Sequence, residues 1–278
     1  MGTIVLLSIR ETFRKKIFVL AVVFAVVYGV LFGLGLHAVA GATSSPMQKL
    51  VKSLIMSRLL SVGLYFGGLL TGFLSIITCA GSISADIESG IMHSVLARPV
   101  RRAHVVLGRF AGLAVVLVAF AAFLFLEIAF VVKYIAGFSP SGLVPALLIF
   151  PLQPLVLASL AIWGSTVMNT VANGVVVFML YLLAIVGGMV EQFGALLGSS
   201  NMVNTGIVTS LVLPADVIYR KVAAIILGSG GPFADNPLGN LGPFGSRSEP
   251  SVWMMVYVFL YIGFMLFRAV RSFGRRDV

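Results

Sequence analysis

The chain has 278 residues, of which 59% are hydrophobic and 10% are charged, and its formal net charge is +10. A soluble domain carries about 25% charged residues, so a chain this apolar cannot cover a water-facing surface and is expected to lie in lipid. The excess of Lys and Arg could indicate nucleic-acid binding. Here, however, the basic residues lie at the ends of apolar runs, as they do in membrane proteins. We therefore expect membrane lipid, and no nucleic acid, as a partner.

The chain begins with a segment that predicts an amphipathic helix at the membrane surface, over 3–16. Val5, Ile9 and Phe13 recur on one helical face, and the segment also contains the charged residues Arg10, Glu11, Arg14, Lys15 and Lys16. The alternative is a basic flank of the next apolar run, with no separate role.

Six stretches are apolar and long enough to cross the hydrocarbon core as helices. They are 17–36, 59–85, 105–132, 143–167, 174–190 and 252–267. The first is longer than the apolar core of a signal peptide, so we interpret it as a span. The fourth contains Pro145, Pro151 and Pro154, which should kink or interrupt its helix.

The longest connection is the loop 191–250, between the fifth and sixth predicted spans. Its first half is semi-apolar and predicts short, re-entrant helices that dip into the membrane. Its second half is rich in Gly and Pro and predicts an irregular loop. Lys and Arg are more numerous on the side that holds both termini, which favours cytoplasmic termini in a multi-pass inner or plasma membrane protein.

A polar segment between the second and third spans predicts a short amphipathic helix over 86–97. Asp86 and Glu88 stand at its beginning, where the helix dipole favours negative charge. Pro99 should end the helix at the residue before it. Its apolar face comprises Ile87, Ile91, Val95 and Leu96. The alternative is an ordinary helix that lies on the membrane.

Signatures of catalysis do not occur in the sequence. It contains no phosphate-binding Gly-rich loop, no Ser-His-Asp pattern and no His-Glu-x-x-His pattern, so we expect no enzymatic activity. The single Cys79 and the scattered His residues predict no metal site. Glu127 and Glu191 are the only carboxylates near the spans' interiors, and each is expected at an outer interface.

The polar segment resembles the signature of type-2 ATP-binding-cassette (ABC) permeases. The matching residues are Asp86-x-Glu88-x-Gly90, then Leu96-Ala97-Arg98-Pro99-Val100, then Arg102 and Val106-Leu107-Gly108-Arg109. The resemblance implies that the segment is a cytoplasmic coupling helix that docks on a separate ATPase. The residues implied in coupling are Asp86, Glu88, Gly90, Ile91, Val95, Leu96, Arg98, Pro99 and Arg102.

A second stretch, 213–220, is similar to a pattern in the nitrous-oxide-maturation and sodium-efflux branches of that family. This similarity implies an outer gate or re-entrant element that contains Pro214, Asp216 and Tyr219. The resemblance also implies a layout of six spans with a surface helix before them and short helices before the last span.

As a whole, the sequence predicts an all-α membrane permease of an ATP-driven exporter. The resemblance implies two copies of the ATPase and a second permease copy, with ATP and Mg²⁺ held by the ATPase and no cofactor on this chain. Two other functions remain open. One is a membrane anchor that transports nothing, and the other, less expected, is a secondary transporter.

Overall fold

The computed structural model describes residues 2–14, 16–41, 46–90, 102–137, 142–228 and 250–275. Within these ranges the regular structure is entirely helical. The helices are α1 (Gly2–Arg14), α2 (Lys16–Gly41), α3 (Pro46–Cys79), α4 (Ser84–Glu88), α5 (Arg102–Ala136), α6 (Leu143–Ile149), α7 (Leu152–Val167), α8 (Thr170–Leu197), α9 (Ser200–Val212), α10 (Ala215–Gly228) and α11 (Val252–Arg275).

Six helical segments in the described part of the chain are long and apolar enough to cross a membrane. They are Lys16–Val39, Ile55–Glu88, Arg102–Ala136, Leu143–Val167, Thr170–Leu197 and Val252–Arg275. This confirms the predicted all-α class with six candidate membrane-spanning helices. A helix satisfies its own backbone hydrogen bonds, which is why an apolar chain of this kind forms helices in lipid.

The fourth span is interrupted, as its prolines predict. Helix α6 ends at Ile149 and α7 begins at Leu152, with Phe150 and Pro151 between them. Pro145 and Pro154 each lie in the first turn of their helix, where a backbone N–H has no intrahelical acceptor. The prolines therefore cost few hydrogen bonds and still divide the span.

Helices α3, α5 and α7 form the centre of the bundle. Leu60 and Leu64 of α3, Leu124 and Phe125 of α5 and Phe150 before α7 are all almost fully buried. Glycines allow the close approach, since a Cβ on Gly67 would lie 2.5 Å from Cδ2 of Leu124. Helices α2 and α11 are peripheral, and their exposed apolar side chains face the surroundings of the bundle.

Helix α1 packs on α5 through small polar residues rather than through its apolar face. Ser8 and Thr12 are buried, and Ser8 lies against Gly112 of α5. Of the predicted apolar face, Phe13 is exposed and Val5 and Ile9 are half-buried. The small side chains form the contact with α5 because they allow the two helices to approach closely. The larger apolar side chains are then available to lipid.

Helices α9 and α10 occupy the region of the predicted loop 191–250. Helix α8 continues past residue 191 and ends at Leu197. Gly198 follows as its cap, with a φ of +68° that glycine readily adopts. Helix α9 then returns along α8, where Gly206 lies against Glu191. The short helices are thus present, whereas their position relative to a membrane stays a prediction. Most of the expected irregular loop, 229–249, lies outside the described residues.

Candidate functional site

One end of the bundle brings together α1, α4 and the start of α5, and we call it the α4 end. Arg109 of α5 forms an ion pair with Glu11 of α1, with 2.5 Å between Nη1 and Oε2. Its other terminal nitrogen pairs with Asp86 of α4. The side chain of Arg109 is only 12% exposed, so these contacts are partly shielded from water. Arg109 therefore joins α4 to two other helices.

Glu88 connects α4 to a further span. It accepts a hydrogen bond of 3.0 Å from the backbone N–H of Thr170 and lies 3.3 Å from the Thr170 hydroxyl. Thr170 begins α8, where unpaired N–H groups and the helix dipole both favour a carboxylate. The Thr170 hydroxyl also lies 2.9 Å from that of Ser84. Helix α4 is thus attached to α8 at both of its ends.

The predicted helix 86–97 is interrupted near its start. Helix α4 ends at Glu88, and Gly90 has a φ of +74°. Glycine adopts this left-handed conformation without strain, and a residue in it commonly ends a helix. The other predicted coupling residues lie outside the described part of the chain. They are Ile91, Val95, Leu96, Arg98 and Pro99.

Arg102 begins α5 and connects it to the end of α11. Its Nη1 donates hydrogen bonds of 3.2 Å to the carbonyl of Phe273 and 3.3 Å to that of Gly274. The last carbonyls of a helix have no intrahelical donor and carry partial negative charge, so a guanidinium stabilises them. Each of Asp86, Glu88 and Arg102 therefore contacts a different part of the bundle. Their partners Glu11 and Thr170 were not predicted from the sequence, although Glu11 is the one acid in a basic segment.

A second polar group, which we call the Arg220 cluster, consists of Arg220, Glu191 and Asp216. Arg220 of α10 pairs with Glu191 of α8, with 2.5 Å between Nη1 and Oε1. Its Nε lies 3.1 Å from Oδ2 of Asp216 one turn earlier. Its Nη2 lies 3.1 Å from Oγ of Ser210 on α9. The cluster thus ties three helices together.

The Arg220 cluster is buried and holds two carboxylates against one guanidinium. The side chains of Arg220, Glu191 and Asp216 are 3%, 6% and 8% exposed. Asp216 lies on α10, outside the six candidate spans. Burial raises the pKa of Asp216 to about 6, while Arg220 acts to lower it and Glu191 raises it further. Proton uptake by Asp216 would leave the cluster electrically neutral.

The predicted outer element is assembled around this cluster. Pro214 is buried in the turn before α10. Tyr219 donates a hydrogen bond of 3.2 Å to the carbonyl of Ser61 on α3, and its ring lies 4.9 Å from that of Tyr65. Asp216 sits in the cluster, where its carboxylate lies against Gly188. All three predicted residues therefore belong to one packed element.

The two carboxylates near the spans lie deeper in the protein than the sequence indicates. Glu191 is buried in the Arg220 cluster. Glu127 of α5 packs against Gly29, which is close to the middle of the span Lys16–Val39. Glu127 follows a longer stretch of its own helix than Gly29 does, because α5 extends beyond the start of α2 at the α4 end. The depth of Glu127 in a membrane stays a prediction.

The fold and these sites define a polytopic helical membrane protein of the kind that forms the membrane component of a transporter. Residues 3–278 match the family described as ABC-2 family transporter protein, and the chain belongs to that family. It is therefore a membrane permease subunit of an ABC transporter, a component that associates with an ABC ATPase and is not itself the catalytic one. No curated protein matches the chain. The branch suggested by 213–220 stays a prediction.

Proposed function

We propose that the chain is the permease of an ATP-driven exporter, coupled through its α4 end to the ATPase. Two permease copies and two ATPase copies form the working complex, with both termini on the ATPase side in the cytoplasm. ATP and Mg²⁺ bind to the ATPase. This arrangement agrees with the six candidate spans and with the basic residues that gather at the α4 end.

The observation that carries the proposal is the attachment of α4. Asp86 connects it through Arg109 to α1 and α5, and Glu88 connects it to the start of α8. Closely packed helices transmit a displacement because the interior has little free space to absorb it. A push by the ATPase on the segment that begins with α4 would therefore move α5 and α8 together.

The Arg220 cluster suggests how the opposite end takes part. Helix α8 begins at Thr170, beside Glu88, and carries Glu191 near its other end. Movement of α8 would therefore pull on Arg220 and on helices α9 and α10. In this proposal α9 and α10, with Pro214, Asp216 and Tyr219, form the outer gate that opens when the ATPase subunits close.

The isosteric change Asp86→Asn tests the coupling. It removes one charged partner of Arg109, and a hydrogen bond to a charged group contributes about 1.5–3 kcal/mol. We expect the purified permease to remain folded and the permease-stimulated ATPase rate to fall about tenfold. The matched control is Ser89→Ala, because Ser89 is exposed and lies at the end of the same helix.

The coupling proposal is wrong if Asp86→Asn and Ser89→Ala leave the stimulated ATPase rate equally unchanged. The two alternative functions give other results. A membrane anchor would copurify with the ATPase and never stimulate it. A secondary transporter would move its substrate in vesicles without the ATPase, and Glu127, packed at mid-span on Gly29, would be its candidate ion carrier.

A further inference from the structure

A basic cavity lies between the last turns of α7 and α11. Its volume is about 490 Å³. Its polar lining is provided by Arg268, Arg271, Arg275, Ser272 and Thr166, with Trp163 beside them. The coupling contacts and the Arg220 cluster involve none of these side chains.

The three arginines line one face of α11. Their spacing of three and four residues places consecutive side chains as neighbours on the helix, where like charges repel each other. Arg268 lies over the ring of Trp163, 5.7 Å from its centroid. Within the described part of the chain, none of the three forms an ion pair with a carboxylate. The cavity therefore concentrates positive charge that an anion would stabilise.

The surroundings of the cavity indicate a membrane interface. Phe264 and Phe267 of α11, just before the first arginine, are 56% and 60% exposed, and Val167 on the cavity wall is 53% exposed. Exposed aromatic and aliphatic side chains on a spanning helix face lipid tails, and the arginines follow where the headgroups begin. Trp163 fits this level too, since indole rings favour the boundary between tails and headgroups.

We propose that this cavity binds the phosphate of an anionic glycerophospholipid. Arginine forms paired, charge-assisted hydrogen bonds with phosphate oxygens, and the hydroxyl of Ser272 adds a neutral polar group. Basic pockets between spanning helices suit such headgroups. A lipid fits better than free phosphate because the apolar wall beside the arginines can hold the first part of an acyl chain.

Native mass spectrometry of the purified full chain tests the proposal. Phosphatidylglycerol and phosphatidylcholine, which share the phosphate and acyl chains, are compared as probes. The test variant is Arg271→Gln with Arg275→Gln. The control is Arg10→Gln with Arg14→Gln, which removes the same charge from exposed positions on α1 at the same end of the bundle.

We expect the unmodified chain to retain phosphatidylglycerol and to lose phosphatidylcholine. The α11 variant should bind phosphatidylglycerol about tenfold more weakly, and the α1 control should bind it nearly as well as the unmodified chain. Equal losses in the two variants would mean general charge attraction and would overturn the proposal.

One further outcome and one further measurement test the assignment without relying on the α11 variant. Equal retention of both lipids by the unmodified chain overturns the proposal even if the α11 variant fails to fold. Inorganic phosphate is tested separately by thermal stabilisation of the full chain. If phosphate stabilises it and phosphatidylglycerol does not bind, the occupant is a free anion and the lipid assignment is wrong.

Discussion

Replacing Arg220 by Met should destabilise the α8–α9–α10 region strongly. Methionine fills a similar volume, so the main loss is electrostatic. Glu191 and Asp216 would stay buried without their guanidinium, and Ser210 would lose a donor. Breaking a buried ion pair by removing one partner costs about 3–5 kcal/mol, because the remaining charge is uncompensated.

The loss should depend on pH. In the unmodified protein Arg220 acts to lower the pKa of Asp216, which burial holds at about 6. Without Arg220 this pKa rises further above its ordinary value of 3.8. A carboxyl with a raised folded pKa stabilises the fold when protonated, and this contribution disappears as pH rises through that pKa. The deficit of the variant should therefore be largest near pH 8 and smaller near pH 5.

Thermal unfolding of the purified chain in detergent, followed at both pH values, measures the effect. The control is Lys221→Met, which removes the same charge from the next residue of α10, where the side chain is only half-buried. Adding Glu191→Gln to Arg220→Met removes one uncompensated charge and should restore part of the stability. If Arg220→Met and Lys221→Met unfold alike at pH 8, or the deficit is the same at pH 5, the cluster does not hold α8, α9 and α10 together.

Two further substitutions test the packing. Gly29→Val should lower stability by about 1–3 kcal/mol, because the new side chain must displace the Glu127 carboxylate. Gly35→Val, on the same helix with no atom within 4 Å of a Cβ, should change little, and equal thermal midpoints would contradict this contact. Asn173→Ala removes donors at 2.8 and 2.7 Å from two buried carbonyls, one after α3 and one in α7. Its cost should be about 1–3 kcal/mol for each carbonyl left unsatisfied, and an unchanged midpoint would show that the amide does not join these helices.

Much of the helical framework could be predicted from the sequence because, in lipid, the structure of each apolar segment depends mainly on that segment's own length and composition. An apolar run that must satisfy its own backbone in hydrocarbon becomes a helix, and the six runs are long enough to cross. The break between α6 and α7 was equally local, since Pro151 carries no N–H to donate.

The candidate site was predictable only in part. Asp86 and Glu88 were identified at the start of a polar segment and Arg102 from the family resemblance, while their partners Glu11, Thr170 and the end of α11 are distant in sequence. Which residues meet depends on how the packed helices are rotated and shifted relative to one another. The hydropathy of the sequence does not specify this rotation or this shift. The turn at Gly90 was also missed, because the apolar spacing of the segment favoured a continuous helix.

The sequence by itself therefore determined the class of protein and its six candidate spans, because transfer of each segment from water to lipid depends on that segment's own composition. The tertiary structure decided the chemistry. It placed Arg220 between Glu191 and Asp216, set Glu127 against Gly29 and collected three arginines beside Trp163. Each of these arrangements requires helices that are separate in the chain to meet at a particular rotation and depth.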